Sequence, residues 1–111
     1  MKGANTRMKD IMPDIARWRA AGERVAVATV ISVEGSAPRP VGATMAVSAG
    51  GDLVGSVSGG CVETAVFEEA QSVLKSGIPK RLRYGITDEM AWDVGLACGG
   101  TIEVFVEPLA E

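Results

Sequence analysis

Two glycine pairs, each set against one of the only two cysteines, frame this chain of 111 residues. The first pair lies in Gly55-Ser56-Val57-Ser58-Gly59-Gly60-Cys61-Val62-Glu63, which an apolar run enters and a helical pattern leaves. The second lies in Leu96-Ala97-Cys98-Gly99-Gly100-Thr101, where the order is reversed and an alternating run follows. Glycine accepts positive φ and lets a backbone approach its neighbours closely, so both stretches turn sharply beside a thiol. Such a thiol serves as a nucleophile, a soft ligand or a small apolar filler. The residues by themselves leave all three open.

Composition narrows the chemistry. Histidine is absent, which removes Ser-His and Cys-His catalysis and every His-ligated metal site. Two cysteines without a Cys-x-x-Cys cannot close a zinc site unaided. The net charge of −3, without a long basic run, argues against nucleic acid as a partner. No stretch is apolar for long enough to span a bilayer, and charges interrupt residues 1–21, so neither a membrane segment nor a signal peptide is expected. The expected compartment is the cytoplasm, where free thiols are favoured over a disulfide.

The pattern along the chain predicts an α+β fold: a single compact domain with a mixed or antiparallel β-sheet packed by two main helices. Residues 1–9 are expected to form a flexible N-terminus and residues 10–108 the domain. Met8, Ile11, Met12, Ile15 and Trp18 follow helical spacing, and Asp10 as N-cap would put Pro13 in a first turn, giving a helix over 10–21 that ends at Gly22. Val25 to Val33 reads as a strand, with Val25, Val27, Ile31 and Val33 on one parity and smaller residues, suited to a close-packed helix, on the other. Glu34 to Gly42 is a loop, in which Pro38 and Pro40 flank Arg39. Ala43–Ser48 and Leu53–Val57 around Ala49-Gly50-Gly51-Asp52 predict a β-hairpin. Val62, Ala65, Val66, Ala70, Val73 and Leu74 predict a helix over 62–76, stopped by Gly77 and Pro79. Leu82–Gly85 suggests a short strand, Thr87 to Asp93 a helical turn, and Thr101–Glu107 a strand with Ile102, Val104 and Val106 inward.

The first glycine pair, placed between strand and helix, implies outward-facing backbone N–H groups that favour an anion. Cys61 would then sit in the first helical turn, where thiolates are stabilised. Glu63 opposes both effects; it either satisfies the helix start or accepts a ligand proton. A tight turn around a buried structural cysteine accounts for the same residues equally well. Cys98-Gly99-Gly100 adds a second thiol-bearing turn, and the two together suit one shared concave site. Arg39 is a solvated residue in a stiff turn or an anion clamp. Lys80, Arg81 and Arg83 read as a protected sheet edge, and Trp18 and Trp92 as core or interface.

Four runs together, SVEGSAPRPVGATM (Ser32 to Met45), GSVSGGCVE (Gly55 to Glu63), YGITDE (Tyr84 to Glu89) and GLACGGTIEVFVEP (Gly95 to Pro108), resemble the N-terminal domain of the xanthine dehydrogenase accessory (XdhC/CoxI) family. The resemblance covers most of residues 10–108. It implies a maturation factor that binds molybdenum cofactor transiently, aids its sulfuration or insertion, and delivers it to a molybdenum hydroxylase apo-enzyme. It implies a cofactor-binding chaperone more than an enzyme with turnover of its own. The cofactor-binding residues it suggests are Cys61, Cys98, Ser58, Gly59, Gly60, Gly99, Gly100, Arg39 and Glu63, with Cys61 and Cys98 as molybdenum contacts and Arg39 on the cofactor phosphate. Many members carry a second, Rossmann-like domain that these residues do not include, so the expectation is either a separate Rossmann-domain protein as partner or a longer protein of which these residues are part; a homodimer is a further expectation. The alternatives are a thiol-based redox or transfer enzyme using Cys61, and a pure interaction module for a Rossmann-domain partner.

Overall fold

Five strands form one antiparallel sheet in the computed structural model, with a helix on each face; the structure describes residues 8–35, 40–58, 62–85 and 100–109. In chain order the elements are α1 (Met8–Ala20), β1 (Val25–Glu34), β2 (Thr44–Ser48), β3 (Leu53–Gly55), α2 (Glu63–Ser76), β4 (Lys80–Gly85) and β5 (Thr101–Pro108). The sheet order is β3-β2-β1-β5-β4. The expected antiparallel α+β domain with two packing helices is what the chain forms.

The alternation in the strands decides which side each helix covers. Ala26, Ala28 and Val30 of β1, with Met45, Val47, Ile102, Val104 and Val106 from its neighbours, pack beneath Val66, Ala70, Val73 and Leu74 of α2. The small Ala26 and Ala28, at most 1% exposed, let α2 come close, as the parity of β1 predicted. Val25 and Val27 point to the opposite face, with Ala46, and meet Ile11, Ile15 and Trp18 of α1. Full burial of a valine or leucine contributes about 1.5–3 kcal/mol, so the larger α2 cluster dominates stability.

The structure departs from the sequence pattern chiefly at three boundaries and one bulge. α1 begins at Met8, which puts Pro13 inside the helix rather than in its first turn. Lys9 and Pro13 are both exposed, so the carbonyl that proline leaves without a donor faces water. β3 stops at Gly55, whose φ of 83° takes the chain out of the extended region before Ser56 and Val57. β4 starts at Lys80, two residues earlier than predicted, because Lys80 and Arg81 pair with Val106 and Phe105 of β5. Finally, the register of β1 against β5 shifts between Val30 and Ser32, a bulge at Ile31. Beyond it the faces exchange: Ile31 is 39% exposed, and Val33 packs on the α2 side rather than with Val25 and Val27.

The helix and hairpin stops follow their residues closely. Gly77, at φ 75°, closes α2 with its N–H on the Val73 carbonyl at 2.7 Å. The Ala49–Asp52 turn is held by Ser48, whose N–H donates to the Asp52 carbonyl (2.9 Å) and whose hydroxyl accepts from the Asp52 N–H (3.0 Å). Glu23 Oε1 accepts the Gly50 N–H at 2.9 Å across the same turn. Thr87 to Asp93 lies outside the described residues.

Candidate functional site

Strand direction brings the ends of three segments to one end of the sheet. Glu34 at the end of β1 pairs with Thr101 at the start of β5, and Thr101 pairs with Gly85 at the end of β4. β2 begins, and β3 ends, toward the same side, at Thr44 and Gly55. Segments 36–39, 59–61 and 86–99, which contain Arg39, Cys61 and Cys98, all connect residues at this end. Arg39, Gly59, Gly60, Cys61, Cys98 and Gly99 themselves lie outside the described residues, as does Trp92.

The backbones here approach closely. Gly35 has φ 74°, and a Cβ built on it would touch the Gly100 Cα at 3.5 Å. A Cβ on Gly85 would lie 2.9 Å from the Thr101 Cα, nearer than real side chains come. Gly85 therefore cannot carry a side chain without moving β5. Gly100, one of the residues suggested for ligand contact, is buried in this junction.

Ser58 and Glu63, also suggested for ligand contact, are joined to each other. Glu63 Oε2 accepts the Ser56 hydroxyl (2.7 Å) and the N–H groups of Val57 (2.9 Å) and Ser58 (2.8 Å). Its Oε1 accepts the Ser58 hydroxyl at 2.6 Å. Ser58 is fully buried, and its Oγ also accepts the Val62 N–H at 2.9 Å, tying residue 58 to residue 62. Val62 makes no side-chain cap of its own, so this bond serves the helix start instead. The carboxylate sits in the first turn of α2, where the helix dipole favours a negative charge.

Burial alone would raise the Glu63 pKa. The Ser58 and Ser56 hydroxyls and the Ser58 and Val57 amides outweigh it and bring the carboxyl from 4.5 down to about 2. Glu63 is therefore an anion throughout the ordinary pH range. The amides of Val57, Ser58 and Val62 are satisfied within the chain, and those of Gly59, Gly60 and Cys61 lie outside the described residues. Of the two roles open to Glu63, the one seen is the intramolecular one.

The sequence pattern missed Ser56 and Tyr84. Ser56 was legible in principle, since two serines before a glycine turn and a glutamate after it form a set of donors around one acceptor. Tyr84 is 7% exposed on the α2 side of β4, one residue before the Gly85 junction. Burial and the negative Glu69 push its phenol up to about 12. The basic residues of β4 do form a guarded edge: Lys80 bonds Glu69 at 2.9 Å, and Arg83 pairs with Glu103 (3.0 Å) and Glu34 (3.5 Å). Trp18 lies in the α1 cluster, 4% exposed. Among the described residues no group of three His, Cys, Asp or Glu side chains could hold a metal, and no helix is long and apolar enough to cross a membrane.

Comparison with known proteins gives consistent matches. The model of the XdhC and CoxI family fits residues 18–85. The molybdenum cofactor insertion chaperone PaoD of Escherichia coli (strain K12) is 39% identical over 90 residues, covering 80% of this chain and 28% of that protein. A probable xanthine dehydrogenase subunit of Bacillus subtilis (strain 168) is 34% identical over 91 residues, with the same coverage of 80% and 28%. A crystal structure described as a xanthine dehydrogenase from Bacillus halodurans superposes with a TM-score of 0.74 at 35% identity, over 89% of this chain and 30% of that one. The chain thus spans less than a third of the length of these relatives.

Proposed function

This chain belongs to the XdhC and CoxI family, and we propose that it is a molybdenum-cofactor-binding maturation factor for a hydroxylase of the xanthine or carbon monoxide dehydrogenase type. Its cargo is a pterin that carries a phosphate at one end and a dithiolene-held metal at the other. In this reading Cys61 and Cys98 are soft ligands toward the molybdenum or its sulfido group, and Arg39 pairs with the phosphate. Gly59, Gly60, Gly99 and Gly100 keep the backbone low enough for close approach. Ser58 and Glu63 support the turn. The cargo is held transiently in the cytoplasm, during sulfuration or insertion, and passes to the apo-enzyme, with a separate Rossmann-domain protein or a second copy of the chain as an additional partner.

One observation carries this reading. The described residues that flank Arg39, Cys61 and Cys98 lie at a single end of the sheet, so the three segments start and finish near one another. Had β4 run the other way, the segment bearing Cys98 would start at the opposite end.

The test is metal and pterin analysis of protein purified from a host that makes the cofactor. The parent is expected to retain pterin with molybdenum, and Cys61→Ala and Cys98→Ala are each expected to reduce it. If both variants keep as much pterin as the parent, the ligand role of the thiols is wrong. A stable complex with a Rossmann-domain protein and no pterin in either state would favour the interaction-module reading instead.

A further inference from the structure

We propose that the outer edge of β4 is a docking strand for an extended segment of a partner protein in which acidic and apolar residues alternate. The surface lies at the opposite edge of the sheet from β3, and the inference holds whatever cargo the chain carries.

Among the described residues the sheet has two edges, and they are unequal. β3 is three residues long and ends at the positive-φ Gly55, too short to template another strand. β4 runs for six residues, pairs along its whole length with β5 on one side, and has no described strand on the other. Its outer N–H and C=O groups therefore stand in a row, which is what strand addition requires.

Side chains decide which strand can use that row. Leu82 and Tyr84 pair with Val104 and Ile102 and share the α2 face, while Arg81 and Arg83 pair with Phe105 and Glu103 on the other face. Two of the three cations of β4 are engaged within the chain: Lys80 with Glu69 and Ser72 of α2, and Arg83 with Glu103 and Glu34. Arg81 is exposed and has no ion pair among the described residues. On the other face Leu82 is only partly buried against the α2 cluster, which leaves apolar surface at the edge. A second copy is disfavoured here. Arg81 and Arg83 share one face, so antiparallel pairing of two β4 strands sets an arginine of one copy against an arginine of the other, and like charges directly opposite are destabilising. A strand with carboxylates on the arginine face and a β-branched residue beside Leu82 meets the reverse situation. The charges that guard this edge against copies of itself select an acidic strand.

The experiment titrates the full chain into fluorescein-labelled synthetic peptides, one alternating Glu and Val and the other Lys and Val, and follows anisotropy. The Glu/Val peptide is expected to bind about tenfold more tightly than the Lys/Val peptide, and Arg81→Glu to reverse that order. Arg81 is exposed, so the reversal reads the edge and not the fold. A Glu/Val peptide N-methylated along its backbone keeps the charge but loses the donors, and is expected to lose binding. Amide exchange across Lys80–Gly85 should slow in the Glu/Val complex, while that of Leu53–Gly55 stays as in the free chain. Equal affinities for the two charged peptides, no binding of either, or binding that survives N-methylation overturns the proposal. So does a dimer of the unliganded chain in sedimentation whose β4 amides are protected, because a second copy then owns the edge.

Discussion

Two glutamates at opposite ends of the sheet each tie the chain beside a glycine pair, and the two ties differ in kind. At the Ala49–Asp52 turn, exposed Gly50 gives one N–H to Glu23. At the other end Glu63 takes two hydroxyls and two amides around the fully buried Ser58. Both ties stand beside a glycine pair in the sequence, so composition does not separate them. Burial and the number of donors do. A carboxylate in water exchanges one partner for another at little net gain, whereas one that satisfies buried donors cannot be removed without leaving them unpaired.

The strongest way to break this contrast is to delete both acceptors. Glu63→Ala is expected to cost about 2–4 kcal/mol in urea unfolding, because it strands the buried Ser58 hydroxyl and two amides. Ser58→Ala should follow at about 1–2 kcal/mol, from loss of the Val62 N–H acceptor. The acid limb comes next. The Glu63 carboxyl is depressed from 4.5 to about 2, so its contribution is complete above the unfolded value and drains away as pH falls from about 5 through 2. Discounted for its partial exposure to solvent, that contribution is about 1–2 kcal/mol, and Glu63→Gln is expected to flatten this part of the stability profile. At the alkaline end the sign reverses. Tyr84 is raised from 10.0 to about 12, so its contribution is complete below pH 10 and is lost as pH climbs through 12; Tyr84→Phe should remove that limb. Smallest of all, Glu23→Gln should change stability by less than about 0.5 kcal/mol, as exposed single ties do. A Glu23 effect equal to that of Glu63 would show that burial is not what distinguishes the ties.

The regular parts of the fold were legible because one local rule decided each. Ile102, Val104 and Val106 alternate and are buried together, and Gly77 stops α2 where a left-handed residue is needed. The β2–β3 hairpin follows from Gly50-Gly51-Asp52 in the same way. What escaped the pattern needed a partner strand or a partner side chain to specify it. Parity assigned Val25, Val27, Ile31 and Val33 to one face, and the pairing with β5 splits them. The start of α1 was drawn toward Pro13, yet water relieves the missing bond there. At the candidate site, Ser58 and Glu63 were each suggested for ligand contact, but their residue types could not say whether they face a ligand or each other. Only the path of the chain after Gly55 turns those donors onto the carboxylate.

The bulge at Ile31 has a consequence for how relatives are to be aligned. Residues paired across two antiparallel strands share a face, so a relative with one residue fewer at this point keeps both its partners and its surfaces beyond it when the gap is written at residue 31. A gap written after Gly35 instead would set residues of opposite faces in the same columns between the two positions. Exchanged polar and apolar columns there mark a misplaced gap.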